Sequence, residues 1–285
     1  MKRILITGEG SFIGSSFENW CQQFPGEYEI EKISLKENNI ANLSFAGFDS
    51  IIHVAGIAHV SSHKTMKEKY FSVNRDLAIQ TATKAKSEGV SQFVFMSSMH
   101  IFGDRPRKGR ESMVTNKTKP CPINYYGESK LQAEIGLKKL VDENFKIAII
   151  RPPMVYGGGA KGNYPRLIKF AKITPIFPEY INKRSMIHID NLCEFIRLVV
   201  DDQAHGEFHP QNSEYTCTFQ LVMWIGQKYN RKILKTRLFN PLIREMGNHF
   251  SVIEKVFGDF TYDMALSVYP KNYQVHTLKE SIFLL

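Results

Sequence analysis

The sequence has few cysteines, and none lies in a pattern that would staple a fold or hold zinc. Cys21, Cys121, Cys193 and Cys217 form no C-x-x-C pair and no cluster with histidine. Isolated cysteines of this kind are typical of reduced thiols in the cytoplasm. We therefore expect neither disulfides nor a metal site.

Signals for export and for the membrane are also missing. Met1-Lys2-Arg3 runs directly into Ile4-Leu5-Ile6, which is too short for the core of a signal peptide. No apolar run approaches the length of a membrane-spanning helix. We expect a cytoplasmic protein without membrane insertion.

Acidic residues are too few to balance the basic ones, and the net charge is +9. This excess suits an anionic ligand such as a nucleotide, and it would also suit nucleic acid. No zinc finger, RNA-binding aromatic signature or heptad run is present, and the densest basic run, 105–110, has the Pro and Gly of a solvated loop. Nucleic acid is therefore only a minor alternative, and we expect no such partner.

The start of the chain carries the pattern of a dinucleotide-binding turn. An apolar run at 2–7 predicts a buried strand, a glycine-rich stretch follows, and a helical pattern continues to about Phe24. Gly8 permits a tight turn, Gly10 lets the backbone approach a pyrophosphate, and Gly14 lets the helix pack on the strand. The predicted phosphate-binding residues are Gly8, Gly10, Ser11, Phe12, Ile13 and Gly14.

The second predicted strand, 28–35, bears on the choice of cofactor. An acidic residue near its end would favour NAD, but the chain has Ser34 and Lys36 there. These residues favour NADP(H), and NAD(H) stays open. The strand at 51–56 ends in Ala55 and Gly56, whose small size would let a cofactor lie against the backbone. Further predicted cofactor contacts are Asn39, Ile40 and Pro152.

Strands and helices alternate over the first half of the chain, which predicts an α/β fold with a Rossmann-type doubly wound parallel sheet. Strands are predicted at 93–96 and 146–150, and helices at 66–88 and 126–143. After residue 157 the elements become shorter, and the last helix is predicted around 241–257. We predict a dinucleotide-binding domain at 1–157 and a smaller C-terminal substrate-binding lobe at 158–285, from which some segments return to the core.

Tyr126 and Lys130 lie four residues apart on a predicted helix, so their side chains share one face. An ammonium beside a phenol favours the phenolate and would lower the pKa of the tyrosine. Such a pair can move protons, but a Y-x-x-x-K spacing alone also occurs by chance.

In combination, these features resemble the extended short-chain dehydrogenase/reductase family, in its NAD-dependent epimerase/dehydratase branch. Ser11 departs from the family pattern, which usually has glycine there. The landmarks occur in chain order: Thr7-Gly8-x-x-Ser11-x-x-Gly14, Asp49-x-x-x-His53-x-Ala55-Gly56, Asn74, Ser97-Ser98, Tyr126-x-x-x-Lys130, Arg151-Pro152 and Arg184-x-x-x-His188-Ile189-Asp190.

The resemblance implies a role for each matched residue. Tyr126 would be the catalytic acid/base, Lys130 would hold the nicotinamide ribose, and Ser98 would hydrogen-bond the reacting sugar oxygen. Asn74 would support this site. Arg184 would grip the diphosphate of a nucleotide sugar.

The resemblance also narrows the reaction. Dehydratases of the family carry an Asp-Glu pair where this chain has Met99 and His100, so dehydration is not expected. The runs 151–157 and 162–167, which include Asn163, resemble bacterial 4-ketoreductases of capsule and O-antigen biosynthesis. These reduce UDP-2-acetamido-2,6-dideoxy-hexos-4-ulose to UDP-N-acetyl-fucosamine or UDP-N-acetyl-quinovosamine.

Two other functions stay open: a UDP-hexose 4-epimerase with tightly bound NAD, and a non-catalytic dinucleotide-binding sensor. His59 and His100 are predicted substrate contacts beside Ser98, Asn163 and Arg184. The resemblance further implies a UDP-sugar substrate and a homodimer that pairs through the helices near 66–88 and 124–143. The configuration of the product at carbon 4 stays open.

Overall fold

The computed structural model describes residues 1–35, 40–58, 66–103, 112–247 and 250–284. The predicted contacts Lys36, Asn39 and His59 lie outside the described residues. The strands are β1 (Lys2–Thr7), β2 (Tyr28–Ile33), β3 (Ser50–His53), β4 (Gln92–Met96), β5 (Met113–Val114), β6 (Lys146–Ile150), β7 (Met154–Tyr156), β8 (Ile176–Pro178), β9 (Met186–His188), β10 (Gly206–Phe208), β11 (Leu234–Thr236) and β12 (Thr261–Tyr262). The helices are α1 (Phe12–Cys21), α2 (Lys67–Phe71), α3 (Leu77–Ser87), α4 (Tyr125–Lys138), α5 (Asn163–Ile173), α6 (Ile189–Asp201), α7 (Thr218–Lys228), α8 (Asn240–Gly247), α9 (Ser251–Phe257) and α10 (Leu278–Phe283).

Six parallel strands form the central sheet in the order β2, β1, β3, β4, β6, β10. This confirms the α/β fold class with a parallel Rossmann-type sheet. From β1 the chain adds β2 on one side and then β3 on the other, so the direction in which strands are added reverses between β1 and β3. The carboxyl ends of these two strands lie beside the glycine-rich turn. In open α/β sheets ligands bind at this kind of switch point.

The strands are buried on both faces, and side-chain alternation divides them between two cores. In β1, Ile4 and Ile6 pack in one core while Leu5 packs in the other. The first core is covered by α1 and α6, and the second by α3 and α4. Because both faces are covered, the strands are nearly continuous apolar runs.

The C-terminal elements contribute to the sheet as well as to a separate cluster. β10 pairs with β6, and α6 covers one face of the sheet. Helices α5, α7 and α10 pack around a separate core that includes Tyr156, Tyr164 and Val222. The single helix predicted near 241–257 is instead two helices, α8 and α9. None of the described helices combines the length and apolarity needed to cross a membrane.

Candidate active site

The turn between β1 and α1 has the form of an anion site. Ser11 caps α1: its Oγ accepts a hydrogen bond from the N–H of Gly14 at 2.9 Å. The N–H groups of Gly10, Phe12 and Ile13 have no acceptor among the described residues. Unpaired N–H groups at a helix N-terminus, together with the helix dipole, attract a phosphate. The residues therefore fit the diphosphate of a dinucleotide.

Two glycines of this turn are required by close packing. A Cβ on Gly8, whose φ is +113°, would lie 2.7 Å from the backbone nitrogen of Ala55, just after β3. A Cβ on Gly14 would lie 2.9 Å from Cγ2 of Ile6. Gly10 has a φ of +72° and open space beside it, as close approach of a ligand to the backbone demands.

A π-helical turn at Ser72–Asp76 joins α2 to α3 and carries Asn74. The Asn74 side chain is fully buried. Its Oδ1 accepts from the N–H of Ile57 at 2.9 Å, and its Nδ2 donates to the carbonyl of Ile57 at 3.0 Å and to Ser129 Oγ at 3.1 Å. The amide thus ties the segment after β3 to the helix that carries Tyr126. The inserted residue of a π turn is a frequent mark of functional sites.

Tyr126 and Lys130 lie in the first turns of α4. Asn124 caps this helix by accepting from the N–H of Gly127 at 2.9 Å. A Cβ on Gly127 would clash with the carbonyl oxygen of His100. Glycine at this position therefore lets the start of α4 approach the 3-10 turn Met99–Phe102, which follows Ser98.

Lys130 reaches across the sheet edge between β3 and β4. Its Nζ donates to the carbonyl oxygen of Met96 at 2.7 Å and lies 4.6 Å from the centre of the Phe95 ring. Burial lowers the pKa of Lys130 to about 8, while the charge of Glu134 opposes this shift. The amine is therefore close to losing its proton at mildly basic pH.

The pKa of Tyr126 moves in the opposite direction from the one expected from the Tyr–Lys spacing. Burial raises it, a hydrogen bond with the Ser98 side chain lowers it, and Tyr70 raises it further. The expectation of a lowered pKa is wrong for this structure, because burial outweighs the other influences. The phenol stays protonated, a state that suits a proton donor.

Ser98 and His100 stand beside the Tyr126 ring. Ser98 Oγ and His100 Nδ1 are 3.0 Å apart, and the ring centres of His100 and Tyr126 are 5.5 Å apart. The Ser98 side chain is thus near both the phenol and an imidazole. A carbonyl oxygen placed between Ser98 and Tyr126 would meet two hydroxyl donors, an arrangement that stabilises developing negative charge.

Glu134 and Arg151 form a buried ion pair that sequence reasoning missed. The Arg151 Nη2 and Nε contact the two carboxylate oxygens of Glu134 at 2.6 and 3.1 Å, and Ser97 Oγ donates to the same carboxylate at 2.5 Å. The position of Glu134, one helical turn after Lys130, was the available signal. The pair joins α4 to the ends of β4 and β6.

Other predicted residues lie around this centre or in the C-terminal elements. Pro152 is buried after β6, and its carbonyl accepts from the N–H of Met99 at 3.0 Å. Ser34 follows β2, and Ile40 begins a 3-10 turn. Arg184 Nη1 donates to the carbonyl of Gly258 at 3.1 Å, while Asn163 is exposed at the start of α5.

Three further histidines have structural partners. His53 Nδ1 lies 2.8 Å from Thr7 Oγ1, and burial lowers its pKa to about 3, which keeps it neutral. His188, Asp190 and His276 lie close enough to share a cation. His188 caps α6, and His276 Nε2 contacts Asp190 at 3.1 Å, so this group joins α6 to the C-terminal segment.

A family model described as "NAD dependent epimerase/dehydratase family" matches residues 4–211. UDP-glucose 4-epimerase of Vibrio cholerae is 32% identical over 227 residues, covering 70% of this chain and 67% of that protein. N-acetyl-alpha-D-glucosaminyl-diphospho-ditrans,octacis-undecaprenol 4-epimerase of Escherichia coli O157:H7 is 25% identical over 275 residues, covering 90% of this chain and 81% of that protein.

A solved structure of dTDP-4-dehydrorhamnose reductase from Bacillus anthracis, in complex with NADP, superimposes with a TM-score of 0.73. It is 22% identical, and the alignment covers 99% of this chain and 98% of that one. At this identity the likeness concerns the fold alone.

Proposed function

The chain belongs to the NAD dependent epimerase/dehydratase family, and we propose that it uses a nicotinamide dinucleotide to change the oxidation state of carbon 4 in a diphosphate-linked hexose. The diphosphate of the cofactor would bind the N–H groups of Gly10, Phe12 and Ile13. The cofactor would supply or accept the hydride. NADP(H) is favoured by Ser34 and Lys36, and the reductase of the same fold is a complex with NADP.

The proposed catalytic residues act together on one sugar oxygen. Tyr126 donates its proton to the carbonyl oxygen as hydride reaches carbon 4, and Ser98 stabilises the negative charge that develops there. Lys130 binds the nicotinamide ribose and keeps a positive charge near the phenol. Asn74 positions α4, the helix that carries Tyr126, through its hydrogen bond with Ser129.

The reaction we propose is the reduction of the 4-keto group of UDP-2-acetamido-2,6-dideoxy-hexos-4-ulose to UDP-N-acetyl-fucosamine or UDP-N-acetyl-quinovosamine, in surface polysaccharide biosynthesis. One observation carries the choice of a site that donates a proton to a carbonyl oxygen: the Tyr126 phenol shares a hydrogen bond with the Ser98 side chain. The identity of the sugar rests on the resemblance of residues 151–157 and 162–167 to the 4-ketoreductases. Met99 and His100, which replace the carboxylic acids of dehydratases, support net reduction over dehydration.

The test measures oxidation of NADPH or NADH by the keto sugar. One cofactor molecule should be oxidised for each product molecule formed. Tyr126→Phe should lower turnover by about 10²- to 10⁴-fold, the usual contribution of a general acid. Tyr125→Phe is the matched control, because it removes a hydroxyl from the neighbouring residue, and it should stay active. Wild-type turnover in Tyr126→Phe, or no oxidation of either cofactor, would contradict the proposal.

A second candidate is a 4-epimerase, which the names of the two curated relatives favour. An epimerase regenerates NAD within each catalytic cycle. The purified protein should therefore carry bound NAD and act without added cofactor. The substrates to compare are UDP-N-acetylglucosamine, UDP-glucose and an N-acetylglucosaminyl diphospho-polyprenol. Net conversion by protein that lacks bound nicotinamide would exclude this candidate.

The C-terminal elements that pack apart from the sheet are proposed as the substrate lobe. Arg184 and Asn163 would bind the diphosphate and the sugar there, and His100 would contact the sugar from the sheet side. Pairing of two chains through α3 and α4 stays a prediction, which sedimentation of the purified protein would test.

A further inference from the structure

Residues 231–244 combine cations with apolar side chains. This segment, which we term the 231–244 surface, contains five basic residues and no acidic one. Its basic residues are Arg231, Lys232, Lys235, Arg237 and Arg244. It therefore carries a large part of the net charge of +9.

The apolar side chains of the 231–244 surface divide into buried anchors and exposed groups. Ile233 and Ile243 are buried, and Ile233 packs against Gly226 of α7. In contrast, Leu238 is 79% exposed, Leu234 59% and Leu242 56%. Large apolar groups exposed close together in one short segment indicate an interaction site.

Neighbouring elements extend this surface. Leu234 of β11 pairs with Ile176 of β8, which is also exposed. Arg237 and Arg244 share the lining of a cleft with Ile181, another exposed apolar residue. Two carboxylates lie next to this surface: Glu179, which binds Arg237 at 2.8 Å and Lys235 at 3.5 Å, and Glu245, which follows Arg244 in the sequence. The five basic residues outnumber these two carboxylates.

We propose that the 231–244 surface docks the enzyme on an anionic membrane. Leucine and phenylalanine beside lysine and arginine are the side chains that interfacial segments use: the apolar groups enter the headgroup region and the cations attract anionic lipids. This is peripheral contact and requires no membrane-spanning helix. The inference goes beyond the proposed reaction and stands whichever sugar is the substrate.

Two other occupants suit the surface less well. In a two-fold dimer built on this surface, the same five cations would lie on both sides of the interface, and bringing like charges together is unfavourable. Nucleic acid is bound chiefly through contacts to phosphate, which would leave the exposed leucines unused. A lipid surface satisfies both the cations and the apolar groups.

The experiment is co-sedimentation of the full chain with vesicles of phosphatidylcholine and with vesicles of phosphatidylcholine and phosphatidylglycerol in equal parts. We expect binding to the mixed vesicles, weakened at ~1 M salt because the Debye length falls to about 3 Å. Leu238→Ser should weaken binding about tenfold by losing apolar burial. Lys232→Glu should weaken it about tenfold or more by reversing one charge near the lipid.

Matched control variants test whether binding depends on the 231–244 surface or on exposed apolar and charged groups elsewhere. Val268→Ser removes an apolar group that is 80% exposed elsewhere, and Lys139→Glu reverses a charge at the end of α4. Both should bind mixed vesicles like the wild type. Turnover in solution is measured for all four variants beside vesicle binding, so that a failure of the proposed reaction is seen separately from a failure of the membrane proposal.

Wild-type protein that binds the mixed vesicles no better than pure phosphatidylcholine would overturn the inference. The same holds if Leu238→Ser and Lys232→Glu bind like their controls. If these variants instead abolish self-association or binding to duplex DNA, the surface belongs to a second copy or to nucleic acid, and the membrane proposal is wrong.

Discussion

Replacing Glu134 with glutamine should destabilise the protein although the two side chains have almost the same shape. Glu134 is fully buried and Arg151 is 4% exposed. The carboxylate accepts two hydrogen bonds from the guanidinium and one from Ser97. The substitution removes a buried negative charge and leaves the Arg151 guanidinium inside the protein with weaker compensation.

The expected magnitude follows from what remains around the arginine. Breaking a buried ion pair by removing one partner costs about 3–5 kcal/mol, because the other charge stays buried. Arg151 Nη1 also contacts Glu207 at 2.6 Å, and Glu207 is partly exposed. Since this second carboxylate still pairs with the arginine, we expect the lower end of the range, about 3 kcal/mol.

The assay is urea unfolding followed by circular dichroism, from which the free energy of unfolding is extrapolated. Glu18→Gln is the control, because it neutralises a partly exposed carboxylate that contacts Lys32 at 2.5 Å. Exposed pairs contribute about 0–1 kcal/mol, so this variant should unfold almost like the wild type. Equal losses in the two variants would refute the reasoning.

A double variant tests whether the loss comes from the unpaired cation. Replacing both Glu134 and Arg151 with methionine removes the two charges together, and such exchanges are often neutral or stabilising. We therefore expect the double variant to be more stable than Arg151→Met alone, which leaves a buried carboxylate. A strictly additive result would show that the two side chains do not interact.

Two predictions concern the proposed active site. Because burial lowers the pKa of Lys130 to about 8, the ammonium is present below this pH and is lost as the pH rises through it. kcat/KM should therefore fall above pH 8. Glu134→Gln removes the negative charge that raises the pKa of Lys130, so this variant should show the fall at lower pH. An unchanged pH profile in Glu134→Gln would contradict the assignment of the fall to Lys130. Asn74→Ala leaves the N–H and carbonyl of Ile57 without their partner and should cost about 1–3 kcal/mol of unfolding free energy, with reduced turnover. Ser72→Ala changes an exposed residue two positions earlier in the same π turn, and it should change neither the unfolding free energy nor the turnover.

The fold was predictable where local pattern and burial coincide. The apolar runs at 4–6, 93–96 and 147–150 are strands buried on both faces, and their alternation with helical patterns indicated a parallel sheet. Short elements gave weaker signals. β10 has three residues and is held by pairing with β6, which local sequence does not encode. The predicted helix at 241–257 divides into α8 and α9.

The candidate site was predictable as a set of residues and less so as an arrangement. Asn74 was expected to support the site, but the π turn that presents it has no sequence pattern of its own. Arg151 was noted only as a landmark. Its pairing with Glu134 arises because α4 and the end of β6, distant in sequence, meet in the fold.

By itself the sequence determined the glycine-rich turn, the strand–helix alternation and the Tyr126–Lys130 spacing, because each depends on neighbours along the chain. The tertiary structure decided the protonation of that pair. Lys130 loses proton affinity and Tyr126 gains it because Lys130 is buried and Tyr126 is half-buried within the fold. Desolvation depends on everything packed around a group, and no local spacing specifies it.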